Sequence, residues 1–263
     1  MSVMIDLAGS KALVTGVSRG IGASIARKLA EAGCDVAGCA TRGEDSVEAR
    51  AFIQSVEELG CRACYLQADL ADPAVPERLV ARSVEALGGL DILISNAGRN
   101  VFKGAAECTE SDWEHCMNLD LASHWRLARS AKSALERADH PVILVISSNH
   151  AWSTIPGCFP YNVAKAGLAA MVQSLAIEWG PKIRAVGIAP GFIATDANQL
   201  WYDRFPDPAA ERRRTEKRHP VGRVGTADEV GMLCAYLASP AAGFINGTTI
   251  CIDGGRSALM QDP

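Results

Sequence analysis

Short apolar runs of four to six residues alternate with helical stretches along nearly the whole chain. The runs are Ala12 to Thr15, Val36 to Ala40, Ala63 to Gln67, Ile92 to Ser95, Val142 to Ser147, Ala185 to Ala189 and Thr249 to Ile252. Between them lie segments of helix length, Ile21 to Ala32, Ser46 to Leu59, Val75 to Leu87, Ser111 to Arg137, Tyr161 to Trp179 and Ala227 to Leu237. Strands that read as continuous apolar runs are buried on both faces, and when helices separate them they form a parallel sheet covered on either side. The pattern predicts an α/β fold, a doubly wound parallel sheet of about seven strands. One region departs from it. Ala197 to Pro220 holds Trp201, Tyr202 and Phe205, then a basic cluster, Arg212 to Arg214, before Lys217 and Arg218. It is too long for a turn, and compact domains reserve such insertions for a lid or binding loop; an oligomer contact or a solvated helix would also account for it.

Composition narrows the class. The 263 residues fall within the size that one α/β core serves, and no repeat, low-complexity tract or Pro/Gly-rich linker divides them. Residues 1–263 are therefore expected to form a single domain, with 197–220 as its substrate-binding lid. Apolar residues at 48% and charged residues at 21% exclude disorder. A net charge of −4 without a basic stripe argues against a nucleic-acid partner. Met1 to Leu7 lacks the basic start and apolar run of a signal peptide, and no stretch of about 18 apolar residues occurs, so a cytoplasmic protein without a membrane segment is expected. Nine cysteines, scattered from Cys34 to Cys251, fit reduced thiols better than a disulfide framework. Cys61 and Cys64 form a lone C-x-x-C with no second pair or nearby histidine, which reads as a strand edge; no metal is expected.

The candidate chemistry lies at the predicted strand ends. After the first strand, Thr15, Gly16, Val17, Ser18, Arg19, Gly20, Ile21 and Gly22 lead into a helix. Glycines there let the backbone approach a pyrophosphate, and the helix N-terminus presents unpaired N–H groups to it. The spacing is G-x-x-x-G-x-G, unlike the commoner G-x-G-x-x-G. The end of the second strand reads Ala40, Thr41, Arg42, with no carboxylate to bond the ribose hydroxyls of NAD. Arg42 and Arg19 can both meet a 2′-phosphate, which favours NADP(H) over NAD(H). Glu44 and Asp45 are the alternative, though just before a helix they read as first-turn or capping acids. Asp69 after the third strand could accept from an adenine amino group or begin a helix. Asn96, Ala97 and Gly98, after Ser95, would let a coenzyme lie along the strand ends, or form a turn.

Tyr161 and Lys165, four residues apart on a predicted helix, share a face. A phenol ionises near pH 10, and a cation about 4 Å away at an effective dielectric near 20 contributes roughly 4 kcal/mol, about three pKa units. That would bring the tyrosine into working range near neutral pH. Thirteen residues before it, Ser148 ends the fifth strand with Ser147, where open α/β sheets bind ligands and a hydroxyl could hold a substrate oxygen. Asn118 is a poor residue for a helix interior; a bound water linked to Lys165 or a surface amide would explain it.

In combination these motifs resemble the short-chain dehydrogenases/reductases, single Rossmann domains of about this size, and the likeness runs from Thr15 through Asp253, Gly254 and Gly255. The resemblance implies a catalytic tetrad of Asn118, Ser148, Tyr161 and Lys165, with Tyr161 as general acid/base and Asn118 positioning a water. It implies a coenzyme site of Gly16, Ser18, Arg19, Gly20, Ile21, Gly22, Ala40, Thr41, Arg42, Asp69, Leu70, Asn96, Ala97, Gly98, Tyr161, Lys165, Pro190, Gly191, Ile193 and Thr195. It further implies hydride transfer between a nicotinamide and a small-molecule carbonyl or secondary alcohol, in a homotetramer or homodimer. Ser95 departs from the usual N-N-A-G, and Asn149, His150 and Trp152 follow the serine where many relatives have small residues. His150, Trp152 and Trp201 are the candidate substrate contacts. The glycine turn and Ala40 to Arg42 look like 3-oxoacyl-carrier-protein reductases, while Asn100, His150, Gln199 and the 201–220 stretch look more like sugar or polyol dehydrogenases. A catalytically silent coenzyme-binding regulator would keep the glycine turn without needing the proton donor.

Overall fold

The computed structural model describes residues 5–259. Most of the Met1 to Leu7 segment, on which the absence of a leader was read, lies outside the described residues. Seven strands form one parallel sheet: β1 (Lys11–Thr15), β2 (Asp35–Ala40), β3 (Ala63–Gln67), β4 (Ile92–Ser95), β5 (Val142–Ile146), β6 (Arg184–Pro190) and β7 (Thr249–Ile252). Their spatial order is β7-β6-β5-β4-β1-β2-β3, with Leu13 of β1 opposite Ala37 on one side and Leu93 on the other. The chain winds outward from β1 to β3, then returns to the other side of β1 at β4. The crevice at the carboxyl ends of β1 and β4 is thus a topological switch point, where sheets of this type bind ligands.

The helices are α1 (Gly20–Glu31), α2 (Val47–Glu57), α3 (Val75–Leu87), α4 (Glu110–Met117), α5 (Ser123–Leu135), α6 (Tyr161–Trp179), α7 (Asp196–Tyr202), α8 (Pro208–Lys217) and α9 (Ala227–Ala238). Strand side chains alternate between faces, and both faces are dry. Leu144 of β5 joins Ile25 and Leu29 of α1, Phe52 of α2 and Val230 of α9 on one side. Its neighbours Ile143 and Val145 join Leu79 of α3, Leu127 of α5 and Leu168 of α6 on the other. This two-sided burial is why the strands read as apolar runs.

Two expectations change. The predicted Ser111 to Arg137 helix is two helices joined by a π-helical turn, Asn118–Ala122, and its first cap is Thr109, in a reciprocal capping box with Asp112. Ser46 caps α2 by accepting from the Ala49 N–H, so Glu44 and Asp45 precede the cap. Glu44 instead accepts from Arg82 and from the Gln67 N–H, both at 3.4 Å. The 197–220 region is largely helical, with Trp201 packed 4.8 Å from Phe205 and 5.5 Å from Phe192, centroid to centroid. Cys61 donates to the Ala30 carbonyl and Cys64 lies in β3, so the C-x-x-C spans a strand start. No helix among the described residues is long and apolar enough to cross a membrane.

Candidate active site

Close backbone packing shapes the turn after β1. Gly16 and Gly20 adopt φ of +77° and +63°, a region that L side chains rarely enter. A β-carbon on Gly22 would stand 2.2 Å from the Gly16 carbonyl oxygen and 2.6 Å from Nδ2 of Asn96. Asn96 is fixed in turn, donating from Nδ2 to the Thr15 carbonyl at 2.7 Å, while the N–H groups of Asn96 and Ala97 both reach Oγ1 of Thr15 at 2.9 Å. The first turn of α1 has no acidic residue and no side-chain cap at Arg19. This bare cradle of N–H groups fits a pyrophosphate. Ser18 and Ile21 line it half-buried, and a β-carbon on Gly20 would meet Cγ2 of Thr195 at 3.4 Å, so the residue capping α7 faces the glycine turn.

At the end of β2, Thr41 and Arg42 are exposed after half-buried Ala40, and Nε of Arg42 lies 3.6 Å from Glu48. Asp69 is exposed and accepts the Ala71 N–H at 3.0 Å, making a turn well before α3. The side chain of Leu70 belongs to the core against α3, so only its backbone could face a ligand. Pro190 ends β6, Gly191 has no room for a β-carbon beside Asp253, and Ile193 is buried.

Tyr161 is the first residue of α6, and Lys165 lies one turn on, both almost wholly buried. The Lys165 ammonium is 5.4 Å from the Tyr161 ring centroid and donates to the Ile146 carbonyl at 3.2 Å. Ser147 donates to the Lys165 carbonyl at 2.9 Å, tying the end of β5 to α6. Ser148 accepts the His150 N–H at 3.2 Å, which leaves its own proton free to donate. Burial raises the Tyr161 phenol well above its ordinary range, the Asp120 charge adds to that, and the Ser148 hydrogen bond opposes it. The net shift is therefore upward, opposite to the depression expected from Lys165.

The structure does not bring Asn118 to Lys165. Its Oδ1 accepts from Arg126 at 3.1 Å, on α5. Asp120, two residues later and fully buried, turns to the other side and places Oδ1 3.8 Å from the Lys165 ammonium. Gly98 lies over this pair, with room for no side chain: a β-carbon would meet Asp120 at 2.6 Å and Lys165 at 3.4 Å.

A family profile described as Enoyl-(Acyl carrier protein) reductase matches residues 16–257. The chain is 33% identical over 254 residues to 3beta-hydroxysteroid dehydrogenase 1 of Eggerthella lenta, covering 96% of this chain and 95% of the relative. It superposes with a TM-score of 0.87 on a dehydrogenase/reductase from Sinorhizobium meliloti, 36% identical with 96% of each chain covered. A short-chain dehydrogenase of Burkholderia cenocepacia in complex with NADP gives 0.85 at 35% identity, covering 95% of this chain and 98% of that one. The chain belongs to the short-chain dehydrogenase/reductase family. It is an oxidoreductase with the Rossmann-like fold of that family.

Beside Tyr161 of this short-chain dehydrogenase/reductase, the His150 ring stands edge-on at 6.1 Å, its Nδ1 paired with Thr154. Trp152 is exposed, four residues beyond Ser148. Trp201, on α7, packs into an aromatic cluster with Phe192, Tyr202 and Phe205. Sequence reasoning missed Phe102, which approaches Tyr161 at 6.4 Å because the strand pair Phe102–Lys103 and Phe159–Pro160 joins its loop to the start of α6. It also missed Asp120, whose signal was an acid placed between two leucines inside a helix.

Proposed function

We propose that this enzyme is an NADP(H)-dependent reductase of ketones, or dehydrogenase of the matching secondary alcohols, with Tyr161 as general acid/base. The observation that carries the reading is the convergence of Ser148, Tyr161 and Lys165 beyond the carboxyl end of β5, with Lys165 against Gly98 beside the glycine cradle. When bound, the nicotinamide supplies or accepts the hydride. Ser148 donates a hydrogen bond to the substrate oxygen as charge develops there, and Tyr161 delivers the proton that completes the alcohol, or removes it in the reverse direction. Gly16, Gly20, Gly22 and Thr195 would hold the pyrophosphate, and Arg42 with Arg19 a 2′-phosphate. That Glu44 accepts from Arg82 and Gln67 supports NADP(H), since the alternative carboxylate already has partners of its own.

Apolar surroundings favour a ketone over a sugar. Phe102, Trp152 and Ile155 are exposed on the segments flanking Tyr161, whereas the polar candidate Gln199 is committed to Arg212 and Asp203. Helices α7 and α8 form the lid over this side. Trp125, Val163 and Ile177 are exposed on α5 and α6, which supports assembly through these helices into a homotetramer, and the free thiols support a cytoplasmic setting. Turnover of an apolar ketone, an acetoacetyl thioester and an aldose with each coenzyme tests the substrate class. Tyr161→Phe should bind NADPH normally and lose roughly 10²–10⁴-fold in turnover; a variant that keeps near wild-type turnover refutes the assignment.

A further inference from the structure

A proton donor beside a lone cation does not account for all the polar groups behind Tyr161. Asp120 has no solvent exposure, lies 3.8 Å from the Lys165 ammonium, accepts the Arg99 N–H at 3.0 Å through Oδ1 and meets Sγ of Cys116 at 3.7 Å through Oδ2. An uncompensated carboxylate is costly at such depth, so its partners define its role. Its one cationic side-chain partner within ion-pair distance, among the described residues, is the lysine of the candidate proton-transfer site.

We infer that Asp120 is a positioning residue that offsets the charge of Lys165 and thereby keeps the Tyr161 phenol protonated, favouring carbonyl reduction over alcohol oxidation near neutral pH. The inference rests on the reading of Tyr161 as acid/base. In reduction Tyr161 must start as the phenol, and in oxidation as the phenolate, so the balance of charge behind it decides which direction runs at a given pH. The groups facing Tyr161 are Asp120, Lys165, Cys116, Cys158, the Ser148 hydroxyl and the edge of His150. Burial and the Asp120 charge push the Cys116 thiol up to about 12, and burial raises Cys158, so both stay neutral and leave Asp120 and Lys165 as the opposed charges. Beyond them, His124 lies toward Lys165 and His115 toward Asp120. Burial drives the pair toward neutrality, raising Asp120 and lowering Lys165, while each opposes the shift of the other.

Asp120→Asn removes the carboxylate charge and leaves the amide able to accept from Arg99. The Tyr161 phenol, followed by carbon-13 NMR of ring-labelled tyrosine in the coenzyme-free protein and assigned with Tyr161→Phe, should then titrate at least one pH unit lower. The alkaline rise of kcat/KM for alcohol oxidation should shift in the same direction, at least tenfold faster at a fixed pH on that limb, and Asp120→Glu should restore both. Superimposable titrations of Tyr161 in the wild type and D120N overturn the inference. If the titration shifts while Tyr161→Phe still turns over, the charge balance stands and the acid/base reading fails. Should D120N not fold, Asp120→Ser removes the same charge with a smaller side chain and must move Tyr161 downward; no movement overturns the inference equally.

Discussion

Gly22→Ala sets two physical effects of opposite sign against each other. Gly22 lies in the first turn of α1, where helix propensity alone would make alanine more stable by about 0.8–1 kcal/mol. The added methyl, however, would stand 2.2 Å from the Gly16 carbonyl oxygen, more than an ångström inside contact distance. Gly16 cannot easily yield, because its φ is +77° and its N–H donates to Cys39 at 2.8 Å. Asn96 can yield only by loosening the hydrogen bond to Thr15. Overpacking costs about 1–3 kcal/mol and a weakened buried hydrogen bond about 1 more, so the clash wins and the net loss is about 1–3 kcal/mol. With an unfolding entropy near 2.1 cal/mol/K per residue, each kcal/mol lowers the melting temperature of a chain this long by about 2 °C, giving a fall of about 2–6 °C. The shifted cradle should also weaken NADPH at least tenfold, read from nucleotide fluorescence. Gly43→Ala is the control, since a β-carbon there meets nothing within 4 Å. A G22A protein that melts at or above the wild-type temperature and binds NADPH unchanged refutes the cradle; one that melts lower but binds normally separates packing from phosphate recognition.

Two further outcomes follow from groups away from the reacting atoms. Arg42→Ala should lower the preference for NADPH over NADH by about 10–100-fold, the worth of a charge-assisted hydrogen bond of about 1.5–3 kcal/mol; equal loss for both coenzymes in binding titrations would place the 2′-phosphate elsewhere. His124 is fully buried with Nδ1 2.8 Å from Oγ of Ser95, and burial together with the Lys165 charge holds it far below the usual histidine range. The unfolded chain therefore binds a proton near pH 6.5 that the folded protein refuses, and stability falls as pH drops below that value by up to about 1.4 kcal/mol per unit. Between pH 7.5 and 5 the wild type should lose about 2 kcal/mol more than a Ser95→Ala/His124→Leu protein, visible as about 4 °C in parallel melting curves. Parallel pH dependence in the two proteins would show that His124 takes up its proton without unfolding.

The sheet was legible because its physical cause is written into the chain. Strands dry on both faces need apolar residues at every position, and each predicted run falls within one residue of an observed strand. The limits of α3 and α6 also emerge as read, since Gly88 closes the first in a left-handed turn and Pro160 precedes the second. Helix α8 was harder, because PAAERRRTEK presents almost no apolar stripe and was read as a basic cluster. Its start was nonetheless signalled by Asp207, which accepts the Ala210 N–H, and by Pro208 at the first helical position.

The arrangement of the candidate site was legible where a regular helix fixes which side chains meet, and not where helix geometry chooses between neighbours. Tyr161 and Lys165 lie on a regular helix, so a spacing of four residues settles that they meet. Asn118 and Asp120 differ by two residues, about 200° around a regular helix, so only one of them can face Lys165. Residue type favoured the asparagine, as a helix-interior amide in want of a reason. The helix, however, widens into a π turn at Asn118–Ala122, Arg126 takes the asparagine, and the carboxylate is turned inward under Gly98. Two polar residues flanking one leucine are ambiguous by periodicity, and local pattern does not reveal the π turn. What separates them is desolvation: an acid with no exposure needs a cation, and Lys165 provides one. The cation invoked to depress the Tyr161 phenol thus has a counter-charge on its far side. The balance between those two charges, beyond the bare presence of a tyrosine and a lysine, sets the pH at which Tyr161 changes from acid to base.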